Sequence, residues 1–490
     1  NYKGRFNGLG HTITGLTINT PNADEVGLFG QLQSNGYARV ANVGLVGGSF
    51  TGRNYVGSLV GWAQFNSGAV ISNNYSSATV NGSNHIGGLV GAYSSATVPN
   101  NTGIFNSYAT GDVTGTATNF QRIGGLVGSA SLYDPGGPLI TNSYATGTVT
   151  AGGSNSMAGG LVGNSGLGII TGSHATGQVN GAGNAGQVGG LIGYQTDTVV
   201  TASYASGAVR GSSTSSGSVG GLVGYLEAGT ISNSYASGTV APSSTGATGA
   251  GVVGGLVGFA SAFNTSVSTI TNSYATGAVS GPTFVGGLLG SIGNGSITIS
   301  RSYATGTVTG TGSSGIRGGL VGGTSSAGTA NISNSYATGN IIGGGGGYAG
   351  GMIGIAETNT TIANSYASNV VAGGGTLGGL AGYSTATLTN NFWNSDTATT
   401  ANGNGDAANN VGAAPLTSAQ FRQSASFNSA GWSASNVGGD GTTWRIYEGQ
   451  TGPLLRSFLT PLNMDLAHDG NGASLTQAGA YSTPGTADTT

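Results

Sequence analysis

Cysteine is absent from this 490-residue chain, lysine occurs once (Lys3), and there are ten prolines. Without cysteine there are no disulfides, no thiolate metal ligands and no cysteine nucleophile. Charge is scarce as well: 11 basic and 14 acidic residues make up 5% of the chain, against about 25% in an ordinary globular domain. A formal charge of −3 with no basic cluster argues against nucleic acid or an anionic membrane as partner. No run approaches the roughly 18 consecutive apolar residues of a membrane span. The chain opens Asn1-Tyr2-Lys3 with no charged-then-apolar leader, and reads as a segment of a longer protein. The low proline content excludes collagen, and 37% apolar residues with so little charge argue against disorder. Abundant Ser and Thr, with arginine replacing lysine, suit an extracellular or cell-surface setting.

Glycine is what the chain has in excess, 100 residues against a usual share of about 7%. Much of it lies in a repeat. A Gly-Leu-x-Gly pattern recurs at anchors Leu28, Leu59, Leu89, Leu126, Leu161, Leu191, Leu222, Leu256, Leu288, Leu320, Met352 and Leu380. These span 352 residues in 11 steps, a mean of 32. A second block lies between anchors, as in Ile231-Ser232-Asn233-Ser234-Tyr235-Ala236-Ser237-Gly238-Thr239-Val240. Counted from its Tyr, Ile or Val recurs at −4 and at +5 in all ten copies, and His174 stands for Tyr in one.

These offsets predict geometry. Residues an even number apart share a face of a strand, so Ile at −4, Asn at −2 and Tyr at 0 are expected to face inward together. The apolar residue at +5 has the opposite parity, so a bend is required, and Gly at +3 is expected to supply it. The inward Asn residues (Asn73, Asn106, Asn142, Asn233, Asn272, Asn334, Asn364) are expected to form an amide ladder. Gly172, Ala202 and Arg301 break that ladder, which predicts weaker coils there.

Strand-forming Ile, Val, Thr and Tyr among so many glycines exclude helix in the array. Repeated units that cannot bury their apolar face alone must stack. The expected fold is therefore all-β, a parallel β-helix or β-solenoid of about 12 coils with about 32 residues each. Its expected parts are a divergent N-terminal coil (1–25), the repeat array (26–390), a nonrepeating C-terminal cap (391–460) and a polar linker (461–490). A short helix is expected in Leu416–Phe427, capped by Thr417 or Ser418.

The anchors and the Asn-Ser-Tyr-Ala-Thr-Gly blocks, such as Asn142–Gly147 and Asn334–Gly339, resemble those of the GLUG-repeat proteins. The closing Trp444–Gln450 and Pro453–Arg456 resemble the segment that ends such arrays. The resemblance covers about residues 1–458. It implies a right-handed parallel β-helix in a large secreted bacterial protein of the filamentous-haemagglutinin-like, two-partner-secreted adhesin type. It also implies an adhesive or structural role at the cell surface, associated with the outer membrane.

Catalytic residues are hard to find. Between Val26 and Asn390 the acids are Asp112, Asp134, Asp197, Glu227 and Glu357. Asp197 and Glu227 form the best pair for glycoside hydrolysis, because they lie six and five residues past successive anchors. Isolated turn carboxylates are ordinarily solvated, and no enzyme is expected. The four His residues are scattered, so no metal is expected, and neither is a cofactor. Threonine rows such as Thr146/Thr148/Thr150 could suit ice binding, but neighbouring copies break the row with Ser206/Ala208/Arg210. With so few ionisable residues near the core, the fold is expected to be insensitive to pH.

The expected function is a nonenzymatic, surface-exposed or secreted adhesin segment, a rod presenting loops to a receptor or glycan on a host or neighbouring cell. Exposed loop aromatics, Tyr93, Tyr133, Phe259 and Phe263, are the candidate binding residues. The alternative is a structural spacer or a self-associating filament subunit.

Overall fold

A computed structural model describes residues 2–34, 38–65, 69–95, 102–132, 137–181, 186–211, 217–243, 251–263, 266–373, 375–400, 402–406, 411–437, 441–462 and 480–482. It is an all-β solenoid of about 11 turns with about 31 residues per turn, and only 3% helix. Both figures lie close to the sequence expectation. At about 4.8 Å per coil, the stack is roughly 50 Å long.

One coil shows the path. Ile192–Thr201 runs along the widest face, Tyr204–Ala205 crosses a narrow face, Val209–Gly211 follows on a third, and Ser218–Gly220 returns to the next Gly-Leu anchor. Each strand pairs in parallel with its counterparts in the coils before and after. Tyr204 aligns with His174 and Tyr235, and Val209 with Val179 and Val240. The four faces are sheets of 23, 14, 11 and 11 strands.

The core is a set of stripes. Ile231, Ile270, Ile299 and Ile332 stack in register and are fully buried or nearly so. The anchor leucines from Leu59 to Leu380 form a second stripe inside, while Leu28 in the first coil is only half-buried. Each large aliphatic side chain contributes roughly 1.5–3 kcal/mol by leaving water, and every coil shields its neighbour.

The corner lies elsewhere than expected. Asn73, Asn106, Asn142, Asn233, Asn272, Asn334 and Asn364 all have φ between 46° and 56°. They turn the chain on the surface and do not point inward. Asn tolerates this left-handed conformation better than most residues. The turn reverses the parity, so the Ser that follows Asn faces inward and the Tyr after it faces outward. The interior ladder is therefore made of serine. In the Ser234 coil, the Ser203 amide donates to Ser234 Oγ (3.1 Å), and Ser234 Oγ donates to its own Ser232 carbonyl (2.8 Å). The same pattern runs from Ser107 to Ser365. Asparagine terminates it at both ends: Val43 N–H donates to Asn74 Oδ1 and Ser365 N–H to Asn391 Oδ1. Gly172, Ala202 and Arg301 keep the same positive φ, and Ser173, Ser203 and Ser302 beside them keep the ladder whole.

Glycine at +3 is required for closeness, not for a left-handed φ. A Cβ on Gly238 would overlap the carbonyl oxygen of Gly207 in the preceding coil, and the same holds at Gly207 against Gly177. Only glycine lets two backbones approach this far.

The ends extend the pattern. Arg5–Asn7, Thr12–Thr14 and Thr17–Asn19 pair with the coil that follows them. Sheet pairing also continues past Asn390: Phe392 aligns with Tyr366, and Trp393 with Ala367. The segment expected to be helical splits into a 3-10 turn, Gln420–Arg422, and a short α-helix, Ser424–Asn428. Thr417 N–H donates to Gln420 Oε1 while Gln420 N–H donates to Thr417 Oγ1, tying the entry. Most of 461–490 lies outside the described residues; within it, Pro461 and Leu462 pair antiparallel with Tyr481 and Ala480.

Candidate binding surface

Because Asn turns the corner, the repeat tyrosines form one external column. Tyr75, Tyr108, Tyr144, His174, Tyr204, Tyr235, Tyr274, Tyr303, Tyr336 and Tyr366 stack ring on ring. Centroids are 4.6–5.1 Å apart and interplanar angles are 10° or less. The in-register spacing of the coils sets this distance. The rings spend their faces on each other and present edges and hydroxyls outward.

The chain itself covers one end of the column. Phe458 stands edge-on to Tyr274 and Tyr303, at 5.4 and 4.9 Å. Phe421, Trp432 and Trp444 pack on Tyr366, and the Tyr366 hydroxyl donates to the Pro453 carbonyl at 2.7 Å. Tyr336 and Tyr366 are consequently buried, whereas Tyr75 to Tyr235 are half-buried, and among the described residues no ring of the cap packs on them. Burial raises the Tyr336 and Tyr366 hydroxyl pKa values above the ordinary range. A cleft of about 260 Å³ lies where the cap ends, between Tyr235, Tyr274 and Leu459.

The candidate loop aromatics separate. Tyr93 is not exposed: it is 99% buried, and its hydroxyl donates to the Ala69 carbonyl at 3.2 Å. Its place in the strand Val90–Ser95 turns it inward, so it is a core residue. Tyr133 lies outside the described residues. Phe259 and Phe263 come together at an open cleft of about 350 Å³ with Tyr225 and Asn294. Phe259 is half-buried and stacks at a tilt on Tyr225 (5.1 Å), which meets Tyr194 (5.2 Å). Phe263 is 54% exposed. The tyrosine column was missed because the parity argument placed it inside.

Asp197 and Glu227 do lie on adjacent coils, but Thr196, not Asp197, aligns with Glu227. Glu227 is buried, accepts from Thr196 Oγ1 at 3.3 Å, and has its pKa raised by burial; Asp197 is exposed. The two carboxyls therefore sit one residue out of register, one buried and one exposed. Among the described residues, no three His, Cys, Asp or Glu side chains cluster as metal ligands, and no helix is long and apolar enough to cross a membrane. The outward row through Thr114 and Thr150 passes to Asn180, Arg210 and Ala241, so it offers no continuous threonine face.

This is a β-solenoid that carries GLUG repeats: the GLUG motif matches residues 121–150, 184–210 and 215–241, each running from one coil's return strand to the next coil's third face. Halomucin from Haloquadratum walsbyi is 42% identical over 90 residues, which cover 18% of this chain and 1% of halomucin. The chain thus spans a very small part of that relative's length. No solved structure matches the chain.

Proposed function

We propose that this chain is a nonenzymatic segment of a surface-exposed or secreted protein, a stiff rod that holds an adhesive lateral face away from its anchor. The observation that carries this reading is the half-buried column from Tyr75 to Tyr235, on which no described cap ring packs, on a rod with one continuous core. Its aromatic rings repeat at about 4.8 Å, a spacing suited to an extended partner such as a polysaccharide or a β-strand on another cell's surface. The cleft at Phe259 and Phe263 is a second contact point. The similarity to halomucin and the GLUG motifs support a surface or secreted repeat protein. The test is binding of the chain to immobilised cell-surface polysaccharides and to whole cells. Wild type should bind, and Tyr108→Ala with Tyr204→Ala should weaken binding with the fold intact by circular dichroism. Equal binding by both proteins, or none by either, would count against adhesion.

A spacer or filament role is the second reading. The serine ladder and the aliphatic stripes repeat from coil to coil and tie the rod together without a ligand. Electron microscopy showing end-paired rods would support this reading.

A further inference from the structure

One outward column of the widest face changes character partway along the rod. In successive coils it reads Tyr194, Tyr225, Phe259, Ser291 and Gly323, aligned in register. The three rings lean on one another at 5.2 and 5.1 Å, and the next two coils carry little or no side chain at this position. A hollow is left beyond the last ring, and the cleft of about 350 Å³ lies there. Gly293 makes room as well, because the tip of the Phe259 ring lies where a Cβ on Gly293 would stand. Phe263, 54% exposed, adds a second ring to the lining.

Polar groups line the rest. Ser261, Ser291 and Ser325 supply hydroxyls and Asn294 an amide. The Ser261 and Tyr225 hydroxyls are hydrogen-bonded to each other at 2.9 Å, which fixes both at the edge of the cleft. Among the described residues no charged side chain lines it, and the residue aligned with Ser261 in the preceding coil is an acid, Glu227. Its volume falls at the small end of the roughly 300–1,000 Å³ of small-molecule sites.

Aromatic rings accept apolar C–H surface, while neutral hydroxyls and amides exchange hydrogen bonds in both directions. A pyranose ring offers both on one small body, with C–H faces and a rim of hydroxyls. A purely apolar ligand would leave the serines and Asn294 without partners, and an acidic sugar would meet no cation here. We infer that this cleft binds a neutral pyranose unit of a glycan, with Phe259 and Phe263 against its C–H faces and Ser291, Asn294 and Ser325 on its hydroxyls. The inference rests on the adhesive reading, whose second contact point it supplies with a ligand class, and not on the tyrosine column.

The test is saturation-transfer NMR of the whole chain with the methyl glycosides of glucose, galactose, mannose and N-acetylglucosamine, and with that of glucuronic acid as the charged control. At least one neutral glycoside should bind, and the charged one should not. Phe263→Ala and Asn294→Ala, both at exposed positions, should each weaken binding, the first at least about fivefold. Tyr108→Ala with Tyr204→Ala should leave it unchanged, so that failure of the column and failure of the cleft are read separately. Absence of saturation transfer to all four neutral glycosides would overturn the inference. So would full binding by both cleft variants, or equal binding of the charged glycoside. If the variants do not fold, a crystal soaked in the bound glycoside decides, and sugar density away from Phe259 rejects the site.

Discussion

Phe458 meets Tyr303 edge-on, with ring centroids 4.9 Å apart and planes at 87°. These residues are 155 positions apart in sequence, and their contact fastens the C-terminal segment along the column of repeat tyrosines. The aromatic face is thereby divided into a part covered by the cap and a part that no described cap ring covers.

Phe458→Ala should loosen the cap. Losing a half-buried ring and two edge-to-face contacts costs about 1–3 kcal/mol. Trp432 and Trp444 lie within the cap, so their fluorescence in urea should report an earlier transition than in wild type. An unchanged transition would mean that Phe458 does not hold the cap.

Serine and asparagine at the corner should behave oppositely. Ser234→Ala leaves the Ser203 amide buried without an acceptor, a loss of about 1–3 kcal/mol. Asn233→Gly keeps a residue able to adopt φ of 49° and should change stability by less than about 1 kcal/mol. Ala202, at φ 47°, is the converse case, and Ala202→Asn should stabilise by about 1 kcal/mol. Chemical denaturation of the three variants checks the order.

Close contact between coils sets a sharp steric limit. Gly238→Ala places a Cβ into the Gly207 carbonyl, whereas at Gly166 the nearest atom to a new Cβ is Ser131 Cβ at 3.6 Å. Gly238→Ala should therefore lower the melting midpoint strongly, with a cost of about 1–3 kcal/mol or more, while Gly166→Ala stays near wild type. Similar midpoints for both would show that the coils are farther apart than described.

Acid should weaken the fold through His85. Its ring stacks on Tyr55 at 4.6 Å, and burial, with Arg122 adding repulsion, holds its pKa down to about 4. The unfolded chain binds this proton below about pH 6.5, and the folded chain does not until about pH 4. The stabilisation from neutral His85 is complete above about pH 6.5 and is lost as pH falls toward 4. Glu227, whose pKa is raised by burial, acts in the opposite sense. His85→Phe keeps a ring on the stack and should flatten the denaturation midpoint between pH 7 and 4. The expectation of a pH-insensitive fold overlooked this histidine, because nothing in its sequence neighbourhood marks it as buried.

The period of about 31 residues was legible because the same apolar positions return in every coil, so Ile231 over Ile270 could be read from spacing alone. The face of the tyrosines was not. Counting by twos from Ile231 to Tyr235 assumes a straight strand, and Asn233 at φ 49° removes that assumption. The preference of Asn for left-handed backbone was the available signal. The cap on Tyr366 and the cleft at Phe259 depend on contacts that occur once, which no repeat can announce. Tyr93 was placed in a loop by its spacing, yet its strand turns it inward.

The most direct measurement is the distance between spin labels at Ser77→Cys and Ser237→Cys, both exposed and 160 residues apart in a chain with no cysteine of its own. Each follows its repeat tyrosine by two residues, Tyr75 and Tyr235, and the stacked rings place five coil steps between them. Stacked coils at about 4.8 Å predict a narrow distribution near 24 Å, widened only by the labels. A broad distribution, or one centred beyond roughly 35 Å, would contradict in-register stacking.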